Sequence, residues 1–337
     1  MKLKVLTILA WLMASMLPSC TKDCDLNPND ENNQVSFSAT IESKSANKVS
    51  GTTWKEGDAI GVFMKATGND LSDGVLANVN NLKHTTTGDG QYTAESDAAV
   101  LPSGTEVDFI AYYPYQSVIN NFIFPVNVAD QSDLSKIDLL YSDNAKAISR
   151  GSSVVALDFK HQLSLLVLDI SAGEGVPTLN GLEVSIKGLV TEGSFDLSDA
   201  SLALGTQTAT ITRQFNEGSS TLNAILVPSQ DIGNATLTFT LGDDVYEWAP
   251  APQPLASGKK YTYSIKLESI TLEASATIAD WTEGNTGESE VSLSPKISNA
   301  AFEADKTTVA INELIQFTDQ TPNATGWSWN FGDGSAP

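Results

Sequence analysis

The segment "QVSFSATI", residues 34–41, alternates apolar and polar side chains with a period of two residues. Successive side chains of an extended strand point to opposite faces. The apolar members of this segment would therefore lie together on one face: Val35, Phe37, Ala39 and Ile41. This pattern is typical of a β-strand that has one face in a core and the other in solvent.

Similar strand-like segments follow along the chain, and clusters of Gly, Asn, Asp or Pro separate many of them. The clearest are "AIGVFM" (59–64), "VVALDFKH" (154–161), "LSLLVLDI" (163–170), "ATLTFTL" (235–241) and "KKYTYSIKLESI" (259–270). The "GDD" at 242–244 predicts a hairpin tip, whereas the polar residues 71–96 are interpreted as a long loop or an irregular edge. Because no helical apolar stripe occurs outside the N-terminal segment, the sequence predicts an all-β fold.

Length and charge restrict the class of protein. A chain of 337 residues exceeds the usual size of one hydrophobic core, so more than one domain is expected. The formal net charge is -22, and the sequence contains only two arginines, Arg150 and Arg213. Phosphate binding needs a basic surface, so nucleic acid is excluded as a partner. An acidic surface keeps a protein in solution but identifies no ligand.

The N-terminus has the features of an export signal. Lys2 and Lys4 precede a mostly apolar segment, residues 5–17, whose helical length of about 20 Å falls short of a bilayer core of about 30 Å. The "LPSC" that follows, residues 17–20, resembles the bacterial lipobox. That resemblance implies cleavage between Ser19 and Cys20 and acylation of Cys20, which would hold the protein in the outer membrane.

The second cysteine, Cys24, lies in the polar, acidic segment 20–33, which is interpreted as a flexible tether. A Cys20–Cys24 disulfide requires that Cys20 is not acylated, and two cysteines without further ligands make a poor zinc site. Cys24 otherwise has no assigned role. Asp23 and Asp25 resemble the signals that direct some lipoproteins to the cell surface, although a solvated linker has the same composition.

Six short motifs occur in a fixed order along the chain: "WKEGDAIGVFM", "FIAYYPY", "LDFKHQLSLLVLDI", "LVPSQ", "GKKYTYSIKL" and "ATIADWTEG". Together, over roughly residues 34–287, they resemble the fimbrillin family of surface lipoproteins from Gram-negative anaerobes. The resemblance implies two tandem transthyretin-like β-sandwich domains, placed here at 34–150 and 151–287. It also implies a fimbrial subunit or adhesin whose partners include other fimbrial subunits and a receptor or glycan that the sequence does not identify.

The C-terminal segment, residues 288–337, resembles the first half of a PKD-type immunoglobulin-like β-sandwich. Its signature is "WSWNFGDG", residues 327–334, in which Trp329 and Phe331 would alternate along a core strand. The predicted architecture is therefore two sandwiches followed by an incomplete third.

Candidate catalytic residues are few. The chain has two histidines, His84 in the polar segment and His161 on a predicted strand. Asp158 precedes His161 by three residues, so the two would face opposite sides of a strand and could not form a dyad. No catalytic, phosphate-binding or metal-binding motif is present. The sequence predicts a protein that is not an enzyme and that has no cofactor or metal site.

Two functions remain open. In the fimbrillin family a protease removes the N-terminal strand after an arginine, and a neighbouring subunit supplies the replacement. Here no arginine precedes Arg150, which leaves Lys44 and Lys48 and favours an anchor or tip role over a polymerising shaft. The alternative is a surface glycan-binding lipoprotein of a polysaccharide-uptake system, with sugar stacking on Tyr115, Trp248 or Trp281. Packing in the core is the other explanation for these aromatic residues.

Overall fold

A computed structural model describes residues 34–42, 53–76, 79–94, 98–215, 221–268, 302–306, 308 and 314–320, together with the backbone of 272–280 and 289–293. Within this part of the chain the structure is nearly all β, which confirms the predicted fold class. The predicted signal peptide, the tether and the "WSWNFGDG" signature lie outside the described residues.

The N-terminal half contains nine strands, a four-residue helix α1 (Leu71–Gly74) and a 3-10 turn at Leu134–Lys136. The strands are β1 (Gln34–Ile41), β2 (Glu56–Ala66), β3 (Leu82–Thr87), β4 (Gln91–Ala94), β5 (Ala99–Val100), β6 (Val107–Tyr113), β7 (Ile123–Asn127), β8 (Leu140–Ser142) and β9 (Val154–His161).

Eight of these strands form one sheet in the order β4-β3-β2-β6-β8-β9-β1-β5. The sheet closes on itself, because β1 also pairs antiparallel with β4 through Phe37↔Tyr92 and Ser38↔Gln91. Alternate side chains point inward, as the period-two pattern predicts, and Phe37, Phe109 and Phe159 are completely buried. The N-terminal strand is thus an integral part of the hydrophobic core that this sheet encloses.

The C-terminal half contains β10 (Ser164–Ala172), β11 (Glu183–Lys187), β12 (Glu192–Asp196), β13 (Ser201–Leu204), β14 (Ile211–Gln214), β15 (Thr221–Leu226), β16 (Thr236–Leu241), β17 (Asp244–Trp248), β18 (Lys259–Leu267), β19 (Leu272–Asp280) and β20 (Ser289–Leu293). Nine of these strands form two sheets, ordered β15-β10-β18-β19-β20 and β14-β11-β16-β17. The predicted hairpin is present between β16 and β17, with Gly242 and Asp243 at its tip.

The two halves are joined by strand pairing. β7 of the N-terminal half pairs antiparallel with β12, and β13 completes a three-stranded sheet. The Tyr141 hydroxyl donates to the carbonyl of Leu197 at 3.0 Å, and the Tyr141 ring packs against Phe195 at a centroid distance of 5.3 Å. One apolar cluster extends from the Phe63 and Tyr112 side chains into the C-terminal sheets. The halves therefore share a core.

The pairing of β9 bears on the organisation of the chain. This strand follows residue 150 and hydrogen-bonds with β1 on one side and β8 on the other. The sheet that begins with β1 thus continues to His161. The domain division at residue 150 stays a prediction.

The interpretation of residues 71–96 as a loop or irregular edge was wrong. They contain α1, β3 and β4, and both strands belong to the eight-stranded sheet. The inward positions are occupied by His84, Thr86 and Tyr92 instead of aliphatic residues. Because the buried face itself is partly polar, these strands lack the apolar alternation that marks the others.

A last pair of strands, β21 (Phe302–Ala304) and β22 (Phe317–Asp319), forms a separate antiparallel ribbon. Phe302 and Phe317 pack edge to face at a centroid distance of 5.8 Å, and Phe302 remains exposed. This ribbon lies in the segment for which the partial third domain is predicted.

Candidate functional site

The candidate site is the position of β1, which has hydrogen-bonded neighbours along both edges. It runs parallel to β9 from Ser36↔Val154 to Ile41↔Phe159, and antiparallel to β4 and β5 on its other side. We call the groove between β9 and the β4–β5 side the β1 seat. Strand pairing on two edges means that removal of β1 would leave two rows of backbone groups without partners.

Backbone contacts fasten both ends of β1. The Ser36 amide donates to the Ser153 carbonyl at 3.0 Å, and the Glu42 amide donates to the Phe159 carbonyl at 2.8 Å. On the outer face, the Thr40 hydroxyl donates to the Asp158 carboxylate at 2.8 Å. The pairing with β9 therefore extends over the whole strand.

The inward face of β1 places Val35, Phe37 and Ala39 in the core. The Phe37 ring meets His84 at a centroid distance of 4.8 Å and Phe109 at 5.1 Å, both edge to face. Burial of a phenylalanine side chain contributes about 1.5–3 kcal/mol relative to exposure, so Phe37 is the main apolar anchor of the strand.

Trp54 hydrogen-bonds to the backbone of β1. Its indole Nε1 donates to the Ala39 carbonyl at 2.8 Å, while the Ala39 amide donates to the Gly90 carbonyl at 2.8 Å. Gly90 has φ +79°, and a Cβ there would lie 2.7 Å from the Ala39 oxygen. A glycine is therefore required where the β3–β4 turn meets β1.

His84 is a titratable group that contacts β1 from inside the core. It is fully buried, and burial lowers the pKa of its imidazole to about 4. Its Nδ1 lies 3.3 Å from the Leu82 carbonyl oxygen, and within the described residues its Nε2 has no hydrogen-bond partner. The expectation that His84 lies in a polar loop was wrong, because the buried face of β3 is itself polar.

His161 has a carboxylate partner that sequence spacing did not reveal. Its Nδ1 lies 3.0 Å from Asp138 Oδ1, and both side chains are buried. Asp158 points to the opposite face of β9, as predicted, where it accepts from Thr40. Asp138 precedes His161 by 23 residues, so only the pairing of β8 with β9 brings them together.

The aromatic residues considered for sugar stacking differ in exposure. Trp248 is 3% exposed and packs against Tyr263 at 4.9 Å, so it is a core residue. Tyr115 is half-buried, with the Lys83 ammonium 5.8 Å from its ring centroid. Trp281 lies outside the described residues.

The residues predicted for processing and anchoring also lie outside the described residues: Ser19, Cys20, Lys44 and Lys48. Arg150 is described, and it lies exposed in the turn before β9. In the described ranges no helix is long and apolar enough to cross a membrane. Nor does that part of the chain bring three or more His, Cys, Asp or Glu side chains together as metal ligands.

Comparison with known proteins gives consistent matches. A model of the fimbrillin-like family matches residues 47–281. A curated protein of Bacteroides uniformis, described as a candidate fimbrium subunit (Fim1C), is 29% identical over 301 residues, which cover 83% of this chain and 96% of that protein.

Solved structures with the same fold carry related descriptions. A crystal structure of a candidate cell adhesion protein from Bacteroides uniformis has a TM-score of 0.62 at 27% identity, over 74% of this chain and 98% of that one. A second, from Bacteroides ovatus, has a TM-score of 0.62 at 23% identity, over 75% of this chain and 99% of that one, and shows the fold alone.

Proposed function

The chain belongs to the fimbrillin-like family, and on that premise we propose that it is a non-enzymatic surface protein, a fimbrial subunit or adhesin. The similarity to a protein described as a candidate fimbrium subunit, over 83% of this chain and 96% of that protein, supports this function. The fold is shared with a structure described as a candidate cell adhesion protein.

We further propose that acylated Cys20 anchors the protein in the outer membrane, facing the outside, and that it acts at the base or tip of an assembly. The lipobox-like "LPSC" and the acidic tether support the anchor. The lack of any arginine before Arg150 supports retention of β1 in place of arginine-specific removal. A lysine-directed cut after Lys44 or Lys48 is the remaining route to its release.

The observation that carries the proposed assembly mode is the β1 seat. A strand paired on two edges and anchored by one aromatic residue can be replaced by another strand with the same alternation, which is β-augmentation. Backbone hydrogen bonds would supply affinity, and the Phe37 position would fix the register because a shift of one residue turns every side chain to the other face.

Strand complementation tests this mode. A variant that lacks residues 34–42 is mixed with a fluorescent synthetic peptide of that sequence, and anisotropy measures binding. We expect saturable binding at one peptide per chain. The matched control is the same peptide with Phe37→Asp, which should bind at least about tenfold more weakly because it buries a charge. Equal binding of both peptides would contradict the proposal.

The anchor is tested separately. Cells that express the Cys20→Ala chain should lose metabolic labelling with a fatty-acid analogue and release the protein from the membrane fraction. Cys24→Ala is the matched control and should remain labelled. Labelling that persists without Cys20 would show that the acylation site lies elsewhere.

A further inference from the structure

A cavity of about 290 Å³ lies where the two halves of the chain meet. Trp54, Asp58 and Tyr113 line it from the N-terminal half, and Arg213 and Asn223 line it from β14 and β15 of the C-terminal half. The segment that contains the 3-10 turn at Leu134–Lys136 forms a third wall. The site is therefore complete only when both halves are folded and docked.

The size of the cavity limits what it can hold. A water molecule takes up about 30 Å³ in the liquid, so the space far exceeds one bridging water. Sites for small ligands begin at about 300 Å³. The cavity lies at this lower limit, so one ring of the size of a monosaccharide is the largest ligand that it could enclose.

Two polar atoms of the lining residues need a hydrogen-bond partner that the described part of the chain does not supply. They are Arg213 Nε, a donor, and Asn223 Oδ1, an acceptor, and both atoms are buried. The Arg213 guanidinium is otherwise held in place, because its Nη1 donates to the Gln131 carbonyl. Buried polar atoms without partners are costly. A hydroxyl group both accepts and donates, so a ligand that carries hydroxyl groups could satisfy each of the two atoms.

The charges around the cavity disfavour an ionic ligand. Three carboxylates line it, those of Asp58, Asp133 and Asp138, against two cations, Lys55 and Arg213. The formal charge of the lining is therefore negative, which disfavours an anion. Each carboxylate also has a partner within the protein: the Tyr113 hydroxyl donates to Asp58 at 3.1 Å, Ser135 donates to Asp133, and His161 contacts Asp138. These carboxylates are thus not arranged to bind a cation. A neutral ligand with several hydroxyls fits this wall.

The rest of the lining is apolar and supplies a face for C–H groups. The Trp54 and Tyr113 rings pack edge to face at a centroid distance of 5.5 Å, and Leu134, Leu140 and Ile225 complete the apolar surface. An amphipathic ring, with hydroxyls on its rim and C–H groups on its faces, matches a lining that has both polar and apolar residues.

We propose that this cavity binds a single neutral sugar residue, whose hydroxyl groups accept from Arg213 Nε and donate to Asn223 Oδ1. Since both halves line the site, the bound sugar would stabilise their docking. The inference goes beyond the surface and assembly roles and does not rest on them. Absence of sugar binding leaves those roles standing, and failed strand complementation leaves this site standing.

The test uses the full mature chain and free monosaccharides as probes. Galactose, glucose, mannose, fucose, N-acetylglucosamine and N-acetylgalactosamine are screened by saturation-transfer NMR, and calorimetry gives the affinity of any that bind. We expect saturable binding of at least one neutral sugar and weaker binding of glucuronate, its anionic counterpart. The sugar that binds should also raise the midpoint of thermal unfolding.

Variants then locate the binding. Asn223→Ala should weaken the affinity about five- to tenfold, the effect of one lost hydrogen bond. Thr212→Ala, an exposed position on β14, is the matched control and should bind as the parent does. The proposal is overturned if no neutral sugar binds the folded protein, in which case the cavity holds water only. Unchanged affinity of a folded Asn223→Ala protein would overturn it as well.

Discussion

His84 shows how one buried polar residue couples stability to pH. Its imidazole is packed edge to face against Phe37, the anchor of β1, in a core that solvates a charge poorly. The neutral form is therefore the one that the folded state accommodates. A proton added to this ring places a charge beside the strand that closes the sheet.

The expected consequence is acid destabilisation with a defined window. The folded-state pKa of His84 is about 4, below its ordinary value of 6.5, so between these values the unfolded chain binds more protons. The free energy of unfolding should fall by about 3 kcal/mol as the pH drops from about 6.5 to about 4. Above that range His84 is neutral in both states, so it adds no pH dependence to stability. Urea titrations at several pH values measure it. His84→Leu should flatten the profile in this window, and an unchanged slope would refute the assignment.

A neighbouring side chain on the paired strand requires a glycine at position 61. Gly61 lies opposite Tyr112 in the β2–β6 pair, and a Cβ there would come within 2.3 Å of the Tyr112 ring. The Tyr112 hydroxyl is fixed by donation to Asn81 Oδ1 at 2.6 Å, and the ring is fully buried, so it cannot move aside.

We therefore expect Gly61→Ala to destabilise the protein by about 1–3 kcal/mol, although alanine is ordinarily the better residue within a strand. Denaturant unfolding measures the change. In a Tyr112→Leu background the same substitution should cost less, because the ring that it strikes is gone. Equal costs in the two backgrounds would mean that the close approach is not the cause.

At the scale of elements, local pattern and long-range pairing differ in how well the sequence predicts them. Strands such as β1 and β16 could be predicted because their buried positions are all apolar and alternate with more exposed ones. β3 and β4 could not, since histidine, threonine and tyrosine fill their inward positions.

The local sequence pattern does not predict which strands pair with each other. Ser36 is hydrogen-bonded to Ser153, 117 residues away, and β7 of the N-terminal half pairs with β12 of the C-terminal half. The registers that create these contacts depend on the packing of the whole chain. The same holds for the cavity, because Arg213 and Asn223 carry no motif and acquire their neighbours only when the halves dock.

A covalent lock tests the β1–β9 register directly. Ser38 and Ala156 are register partners in the parallel pair, and neighbouring strands lie about 4.8 Å apart, within the range that a disulfide spans. In a chain with Cys20 and Cys24 replaced by serine, Ser38→Cys with Ala156→Cys should form a disulfide under oxidation.

The oxidised lock should raise the free energy of unfolding by about 2–4 kcal/mol over its reduced form, because it closes a long loop in the unfolded chain. It should also prevent a β1 peptide from displacing the resident strand. The Ser38→Cys chain alone is the control and should show neither effect. Failure of the double variant to cross-link would place β1 in another register.

At the scale of the whole molecule, strand pairing between the halves predicts that the two fragments of a chain cut once remain associated. Arg150 is exposed in the turn before β9, and the following Gly151 is exposed as well. The second arginine, Arg213, lies within β14, and its guanidinium donates to Gln131. An arginine-specific protease should therefore cut the native protein between residues 150 and 151.

The two fragments should remain associated, because β9 of the second fragment lies between β1 and β8 of the first, and β7 pairs with β12 across the same division. We expect two bands on a denaturing gel and one peak, at the position of the uncut chain, in size-exclusion chromatography. Arg150→Lys is the matched control and should resist the cut. Fragments that separate in native buffer would show that the β1–β9 and β7–β12 pairs do not hold the halves together, and would remove the physical basis for a cavity that both halves must complete.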